Sequence, residues 1–283
     1  TETGNTHLSS ILIYTLTTHL GLVGLLYPLI FPSLMEAGFS SQPRTAEMPL
    51  ILTLLLAICV LVILYEVQGG FVDTKFVALL GLLVSINAAL RFLEIAIPGP
   101  GGFSPIFFLI VVTGYIFGGR FGFLIGSLTI FISALVTGGV GPWLPSQMFA
   151  AGWVGMSAPL CRPVVRAFGT EARSGEVLIL AAFGAFWGLL YGMILNLWSW
   201  PFISGPAAQF WQPGISWIDT LKRYLLYYIV TSLVWDLARA IGHFIFIMLF
   251  GGATLKALRR FKRKFSFQNN PTASMDMLED SQN

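Results

Sequence analysis

Two pairs of oppositely charged residues lie inside long apolar stretches of the sequence, where charged side chains are otherwise rare. Arg91 and Glu94 are three positions apart, as are Asp236 and Arg239, so each pair shares one helical face and is close enough to form an ion pair. Ionisable residues in membrane-spanning stretches are costly and often functional. Each pair therefore predicts either a functional site or a structural pair that neutralises itself. His243, one turn beyond Arg239, is interpreted as a packing histidine.

Aromatic and amide side chains concentrate near one set of ends of the apolar stretches. Those best placed to stack on a solute or hydrogen-bond to it are Asn87, Trp143, Gln147, Trp153, Tyr191, Asn196 and Tyr228. An interfacial aromatic belt would give a similar pattern, but the opposite ends contain far less tryptophan. The distribution favours a pocket for a planar or amphipathic solute.

The sequence lacks the characteristic motifs of several enzyme classes. The chain has no Gly-x-x-x-x-Gly-Lys-Ser/Thr phosphate loop, no His-Glu-x-x-His motif and no Gly-x-Ser-x-Gly motif. ATP hydrolysis by that loop and metalloprotease activity are therefore disfavoured, and we predict no cofactor, no metal and no nucleic-acid partner. Cys59 and Cys161 lack the paired spacing of a metal or redox site and are interpreted as small buried hydrophobic residues.

The composition indicates how these residues are positioned. Hydrophobic residues make up 55% of the 283 positions and charged residues only 10%, which predicts an all-α, polytopic membrane helix bundle with about eight transmembrane helices. The predicted spans are residues 10–31, 50–67, 76–97, 105–117, a longer helix that ends at 137, 147–165, 177–200 and 224–250.

The predicted helix 105–117 is shorter than a normal span. It follows the segment 98–102, Pro-Gly-Pro-Gly-Gly, which cannot form a regular helix. Irregular backbone at membrane depth is tolerated where protein or a water-filled cavity covers it. The segment predicts either a binding cavity or a re-entrant loop without a ligand.

Basic residues set the predicted orientation. Six of them follow the last apolar span, which places the carboxyl terminus in the cytoplasm; they are Lys256, Arg259, Arg260, Lys262, Arg263 and Lys264. With eight spans the amino terminus is cytoplasmic too, and the aromatic ends face outward. We interpret the basic residues as a topology signal that touches anionic lipid and the polar tail as disordered.

Small residues recur at four-residue spacing in three predicted helices, where they allow close helix packing. The three stripes are Gly81, Ser85 and Ala89; Gly122 and Gly126; and Gly184, Gly188 and Gly192. Packing inside the bundle is the default interpretation of each. The first stripe is the best candidate for docking a separate membrane subunit.

Three glycine-rich apolar segments carry a resemblance to a known family. They are GGFSPIFFLI at 101–110, YIFGGRFGFLIG at 115–126 and TGGVGPWLPSQMFAAGW at 137–153. Together they resemble the substrate-binding S component of energy-coupling factor (ECF) vitamin transporters, and the resemblance covers about residues 76–264.

The resemblance implies a six-helix substrate-binding core at 76–264 in a prokaryotic plasma membrane, with two additional helices in 1–75 and a cytoplasmic tail at 265–283. It implies a vitamin substrate, for which we favour cobalamin or a related corrinoid. It also implies a transmembrane coupling subunit and two ATPase subunits as partners, with Gly81, Ser85 and Ala89 as the positions that contact the coupling subunit.

Two other classes of function stay open at this point. In an ion- or proton-coupled secondary transporter, Asp236, Arg239, Arg91 and Glu94 would form the coupling relay, and no ATPase partner would be needed. No clear internal repeat of the kind that builds many such transporters is found. A membrane enzyme or assembly factor is the third class, and no catalytic constellation supports it.

Overall fold

The structure is a computed structural model. It describes residues 74–96, 104–141, 143–171, 174–203, 205–206, 208–212 and 215–268, together with 15, 18–19, 21–23 and 25–26. Regular secondary structure among these residues is entirely helical, which confirms the all-α prediction. The predicted span 50–67 and the segment 98–102 lie outside the described residues.

Among the described residues from 74 onward, eight α-helices follow one another. They are α1 Thr74–Ala96, α2 Ile106–Phe117, α3 Gly119–Thr137, α4 Leu144–Ser157, α5 Cys161–Ala167, α6 Ser174–Ser199, α7 Trp217–Thr231 and α8 Leu233–Gln268. Short 3-10 helices at Ala158–Leu160 and Trp200–Phe202 follow α4 and α6. The end of the bundle that contains Arg259 and Lys262 is called the basic end below, and the other end is called the distal end.

The short helix α2 forms the centre of the bundle. It contacts α1, α3, α4, α6 and α8, and ten of its 12 residues are buried. A helix that is apolar on every face, as this one is, requires neighbours all round. Gly118, with φ of 108°, ends α2 where the sequence predicts a break, and α3 begins at the next residue.

Glycines allow the central helices to approach closely. A Cβ at Gly122 of α3 would overlap the carbonyl oxygen of Gly155 in α4, and one at Gly188 of α6 would lie 2.7 Å from the Cα of Ala240 in α8. The second and third small-residue stripes therefore pack inside the bundle, as their default interpretation predicts.

Two of the predicted spans are wrong as single helices. The span 147–165 is α4, a 3-10 turn and α5, because Pro159 has no amide hydrogen to continue the α-helical pattern. The span 224–250 is split at Ser232 (φ −130°, ψ −30°), where α7 ends and α8 begins. Helix α8 also continues to Gln268, beyond the predicted end of the core.

In the part of the chain that the structure describes, four helices are long and apolar enough to cross a membrane. They contain Lys75–Glu94, Gly119–Thr137, Ser174–Ser199 and Leu233–Arg263, while Ile106–Phe117 is a shorter apolar helix. A membrane-embedded helix bundle accounts for this pattern.

The first predicted span also contacts the core. Leu25 is buried in the main hydrophobic cluster. A Cβ at Gly21 would lie 2.7 Å from Trp153 and 2.8 Å from Phe149, so this part of the chain packs on the aromatic side chains of α4.

Candidate functional site

Both predicted ion pairs lie at the distal end, and three of their four residues interact with Tyr191. Tyr191 of α6 is within electrostatic reach of Arg91 and Glu94 of α1 and of Arg239 of α8. Arg239 in turn interacts with Glu94. These four residues and Asp236, the partner of Arg239, are called the charged cluster below.

The pair on α1 is partly accessible. A nitrogen of Arg91 lies 3.6 Å from a carboxylate oxygen of Glu94, and the two side chains are 27% and 18% exposed. The hydroxyl of Ser104, just before α2, donates a 2.6 Å hydrogen bond to the other oxygen of Glu94. An accessible cation and carboxylate of this kind are able to contact a polar solute.

The pair on α8 is more deeply buried. Asp236 is 1% exposed and accepts a 2.5 Å bond from Nη1 of Arg239. Ser232, at the break between α7 and α8, donates to Asp236 at 3.4 Å and accepts a 2.5 Å bond from the amide of Asn196. A Cβ at Gly192 would overlap both carboxylate oxygens, so α6 encloses this carboxylate.

Aromatic rings and one histidine line the same region. The guanidinium carbon of Arg239 lies 5.9 Å from the ring centre of Tyr191, within the range of a cation–π contact. Phe107 packs edge-on against Tyr191 with ring centres 4.7 Å apart, and it also contacts His243. The ring nitrogens of His243 each lie 3.2 Å from a carbonyl oxygen, of Gly184 and of Ser104, which agrees with a packing histidine.

The predicted site residues separate into groups. The structure brings Arg91, Glu94 and Tyr191 together and connects Asn196 to them through Ser232 and Asp236. The hydroxyl of Tyr228 is buried near Asp236 but lacks the geometry of a hydrogen bond with any described residue.

The remaining predicted residues lie in other parts of the fold. Asn87 is fully buried and donates 3.2 Å bonds to Ile106 O and Thr129 Oγ1, which ties α1 to α2 and α3. Trp143 is exposed and bonds to Gly139 O, and Trp153 packs on Phe149. Among the described residues, no hydrogen bond or ring contact connects Trp143, Gln147 or Trp153 to the charged cluster.

Several distal aromatic residues pack on one another. Trp200, Tyr224, Tyr227 and Tyr228 form a second core cluster, and the hydroxyl of Tyr224 donates a 2.6 Å bond to Met193 O. Trp200 and Tyr224 meet edge-on at 5.3 Å. These rings stabilise α7 against α6, so most of their surface is used for packing.

The first small-residue stripe is on the surface of the described bundle. Gly81, Ser85 and Ala89 are exposed, and no atom lies within 4 Å of a Cβ built at Gly81. The hydroxyl of Ser85 bonds to Gly81 O within the same helix. This stripe therefore differs from the other two, which are covered by neighbouring helices.

The basic end contains a second polar network, which the sequence analysis missed. Glu176 of α6 is 1% exposed and accepts hydrogen bonds from the hydroxyl of Tyr115, at 2.5 Å, and from Arg259. Arg162 bonds to Tyr115 O, and Lys262 bonds to Ile116 O at 2.7 Å, so both cations satisfy carbonyls at the end of α2. The interpretation of the basic residues as only a topology signal was wrong for Arg259 and Lys262. Glu176, a lone carboxylate at the start of an apolar span, is the sequence feature that could have predicted this network.

The charged cluster is able to bind a solute but shows no catalytic arrangement. It offers two cations, two carboxylates and an aromatic face, which suit hydrogen bonds to carboxylate or amide groups and contact with a planar ring. No group of three or more histidine, cysteine or acidic residues able to hold a metal ion is found in the part of the chain that the structure describes.

One comparison with known proteins gives a match. A family model described as "ECF transporter, substrate-specific component" matches residues 75–252. No curated protein and no solved structure matches the chain. The matched range begins in α1 and ends within α8, so it contains the whole charged cluster.

Proposed function

This chain belongs to the family of ECF transporter substrate-specific components, and we propose that its charged cluster captures a vitamin or vitamin precursor from outside the cell. ATP hydrolysis by partner subunits then drives release of the solute inside. The observation that carries this proposal is the meeting of Arg91, Glu94 and Arg239 around Tyr191 at one end of the bundle, where Arg239 also holds Asp236. Residues from three helices meet there, as expected for a site between helices.

The substrate class is proposed from the family and from the residues of the cluster. A ring with carboxylate or amide substituents would pair with Arg91 and Glu94 and lie near Tyr191. Asn196 and Tyr228 extend the site toward α7. The preference for cobalamin rests on the family likeness and on the abundance of aromatic residues, and the packing of Trp200 and Tyr224 against each other removes part of the second argument. A corrinoid is the first of several vitamins to test.

The predicted site residues that lie outside the charged cluster receive more limited roles in this proposal. Trp143 and Gln147 would serve as an outer rim reached by a large solute, whereas Trp153, which is buried against Phe149 and Gly21, is not proposed as a contact. Asn87 would fix α1 beside the site through its bonds to α2 and α3.

The exposed stripe on α1 supports a role for partner subunits. We propose that Gly81, Ser85 and Ala89 dock the transmembrane coupling subunit, because small residues on an uncovered face allow another helix to approach closely. The coupling subunit would connect this chain to two ATPase subunits, which would supply the phosphate loop that this sequence lacks.

The topology belongs to the same proposal. Eight spans place both termini in the cytoplasm of a prokaryote, the distal end outside and the basic end inside. Residues 76–264 would form the substrate-binding core, 1–75 two added helices and 265–283 a cytoplasmic tail.

Mass spectrometry of the small molecule retained through purification tests the function directly. A bound vitamin or precursor is expected, together with uptake into liposomes that requires ATP and the coupling and ATPase subunits. Uptake driven by an ion gradient with this chain alone would overturn the proposal. That result would support the secondary-transporter alternative, in which the same two ion pairs relay ions or protons.

Substitutions test the location of the site. The double variant Arg91→Gln/Glu94→Gln removes both partners of the accessible pair, so it leaves no uncompensated charge. Loss of one charge-assisted hydrogen bond to the solute would weaken binding by about tenfold or more. The matched control is Asp219→Asn/Lys222→Gln, an exposed pair with the same spacing on α7, 3.9 Å apart. Equal effects of the two variants on the dissociation constant would place the site elsewhere.

A further inference from the structure

A groove of about 630 Å³ lies at the basic end between the start of α6 and the part of α8 from Met248 to Arg263. One part of its lining is polar and contains Glu176, Lys256, Arg259 and Arg263. The other part is apolar and contains Val177, Met248, Leu249, Gly252, Ala253 and Leu255. The proposed solute site at the distal end shares none of these residues.

The charge of the groove is positive. Its three cations and one carboxylate give a net charge of +2. Arg259 and Tyr115 hold Glu176, which is buried. Lys256 and Arg263 are exposed and form no ion pair with another residue that the structure describes, so both are available to an anion. The first turn of α6, which begins at Ser174, adds backbone amides beside them.

The polar and apolar parts follow one another along the helix axis. Leu249, Lys256 and Arg263 are seven residues apart and share one face of α8, with steps of about 10 Å along the axis. Leu249 is 69% exposed and Met248 41% exposed. Gly252 and Ala253 leave room between these apolar side chains and the cations. The groove thus changes from apolar at Leu249 to basic at Lys256 within about 10 Å along the helix axis, as a phospholipid changes from acyl chain to phosphate.

We propose that this groove binds one anionic phospholipid. Lys256 and Arg263 contact the phosphate, while an acyl chain lies along Val177, Met248 and Leu249. A lipid fits better than a free phosphate because phosphate alone would bury none of the apolar surface of the groove. It also fits better than a protein helix, because the exposed cations lie at the level of the lipid headgroups when Leu233–Arg263 spans the membrane.

Native mass spectrometry of the full chain in detergent tests this site. Phosphatidylglycerol is added and compared with phosphatidylcholine, which has no net charge. The first is expected to bind at one saturable site and at least about tenfold more tightly, and Lys256→Gln/Arg263→Gln should remove that preference. The control Arg166→Gln/Arg260→Gln loses the same charge from exposed positions outside the groove and should keep the preference.

A second variant tests the apolar wall without changing charge. A Cβ at Gly252 would lie 3.9 Å from Val177, so Gly252→Leu extends into the groove and should displace the acyl chain. Ala257→Leu, at an exposed position outside the groove, is its control. Equal affinity for the two lipids, binding of inorganic phosphate as tight as that of phosphatidylglycerol, or equal effects of the groove and control variants would each overturn the proposal. So would a Lys256→Gln/Arg263→Gln variant that binds phosphatidylglycerol normally but fails to assemble with the ATPase subunits, because the groove would then be a protein contact.

Discussion

Asp236 is a buried carboxylate whose surroundings leave it little freedom. Arg239 lies on one side, the hydroxyl of Ser232 donates to the carboxylate, and the backbone of Gly192 closes the other side. Removing one partner of a buried ion pair typically costs about 3–5 kcal/mol, because the remaining charge is left uncompensated. The geometry around this carboxylate should therefore be sensitive to a single added methyl group.

The substitution Gly192→Ala adds that methyl group. The new Cβ would overlap both oxygens of Asp236, so the carboxylate must move away from Arg239. We expect a stability loss of about 1–3 kcal/mol from overpacking, with more if the pair breaks, and weaker solute binding. Thermal unfolding in detergent and a binding titration measure the two effects.

Gly81→Ala is the matched control because it makes the same chemical change in α1. Its Cβ meets no atom within 4 Å, so the variant should be neutral or slightly stabilised by the better helix propensity of alanine. A Gly192→Ala protein as stable as Gly81→Ala would show that α6 and α8 separate at little cost.

The sequence predicted the two ion pairs because spacing within one helix is a local property. Arg91 with Glu94 and Asp236 with Arg239 are in contact as predicted. It did not predict that the pairs approach each other, since that depends on how α1 and α8 pack around α2. Ser232 was missed for a related reason: its role follows from a helix break that lies between Thr231 and Leu233 without a proline or glycine to indicate it.

At the scale of helices, the glycine stripes fall into two classes. Gly122 and Gly188 lie against backbone atoms of neighbouring helices, whereas Gly81 faces open space. The Gly81 stripe was predicted from the sequence to be the best candidate for docking, but the four-residue spacing itself does not separate the two classes because it is the same in all three stripes. Only the position of each helix in the bundle decides which face is covered.

Enlarging the exposed stripe should disrupt assembly without unfolding the chain. Gly81→Leu and Ser85→Leu place a large side chain where the coupling subunit is proposed to dock, so ATP-driven uptake should be abolished while solute binding is unchanged. Co-purification of the subunits and a binding titration measure the two properties.

The control for these variants is Ala182→Leu, which makes a similar size change at an exposed position of α6. It should leave both uptake and binding unchanged. Normal uptake by Gly81→Leu would mean that α1 does not face the coupling subunit, and lost binding would mean that the stripe supports the solute site.

Helix breaks were predictable where the sequence contains a chemical cause. Gly118 ends α2 as predicted, and Pro159 explains why 147–165 is not one helix, although this proline was not weighted enough. The continuation of α8 to Gln268 had no such signal, because apolar composition defines a span and not the end of a helix.

At the scale of the whole molecule, the family match begins at residue 75, yet the chain before it contributes to the core. Leu25 is buried there, and Gly21 approaches Trp153 closely. The aromatic face of α4 is thus partly covered by the first predicted span, whereas the charged cluster is built from α1, α6 and α8 alone.

Deleting residues 1–73 should therefore lower stability and spare solute binding. Each kcal/mol lost would lower the melting temperature by about 2–4 °C for a chain of this size. Deletion of 269–283, which lie outside the described residues, is the control and should change neither property. A folded 74–283 chain that no longer binds the solute would assign part of the site to the first 73 residues.

The central position of α2 also bears on how far a solute has to travel. Its 12 residues rise about 18 Å, whereas the hydrocarbon core of a bilayer is about 30 Å thick. The carbonyls at its end are held by Arg162 and Lys262. In the proposed orientation these cations lie at the inner headgroups, which puts the shortfall of about 12 Å on the distal side. On the proposed function, a solute resting above Ile106 has already passed more than a third of the barrier before any ATP is spent. The partner subunits would then have to move the solute over the remaining distance of about 18 Å, which is the length of α2.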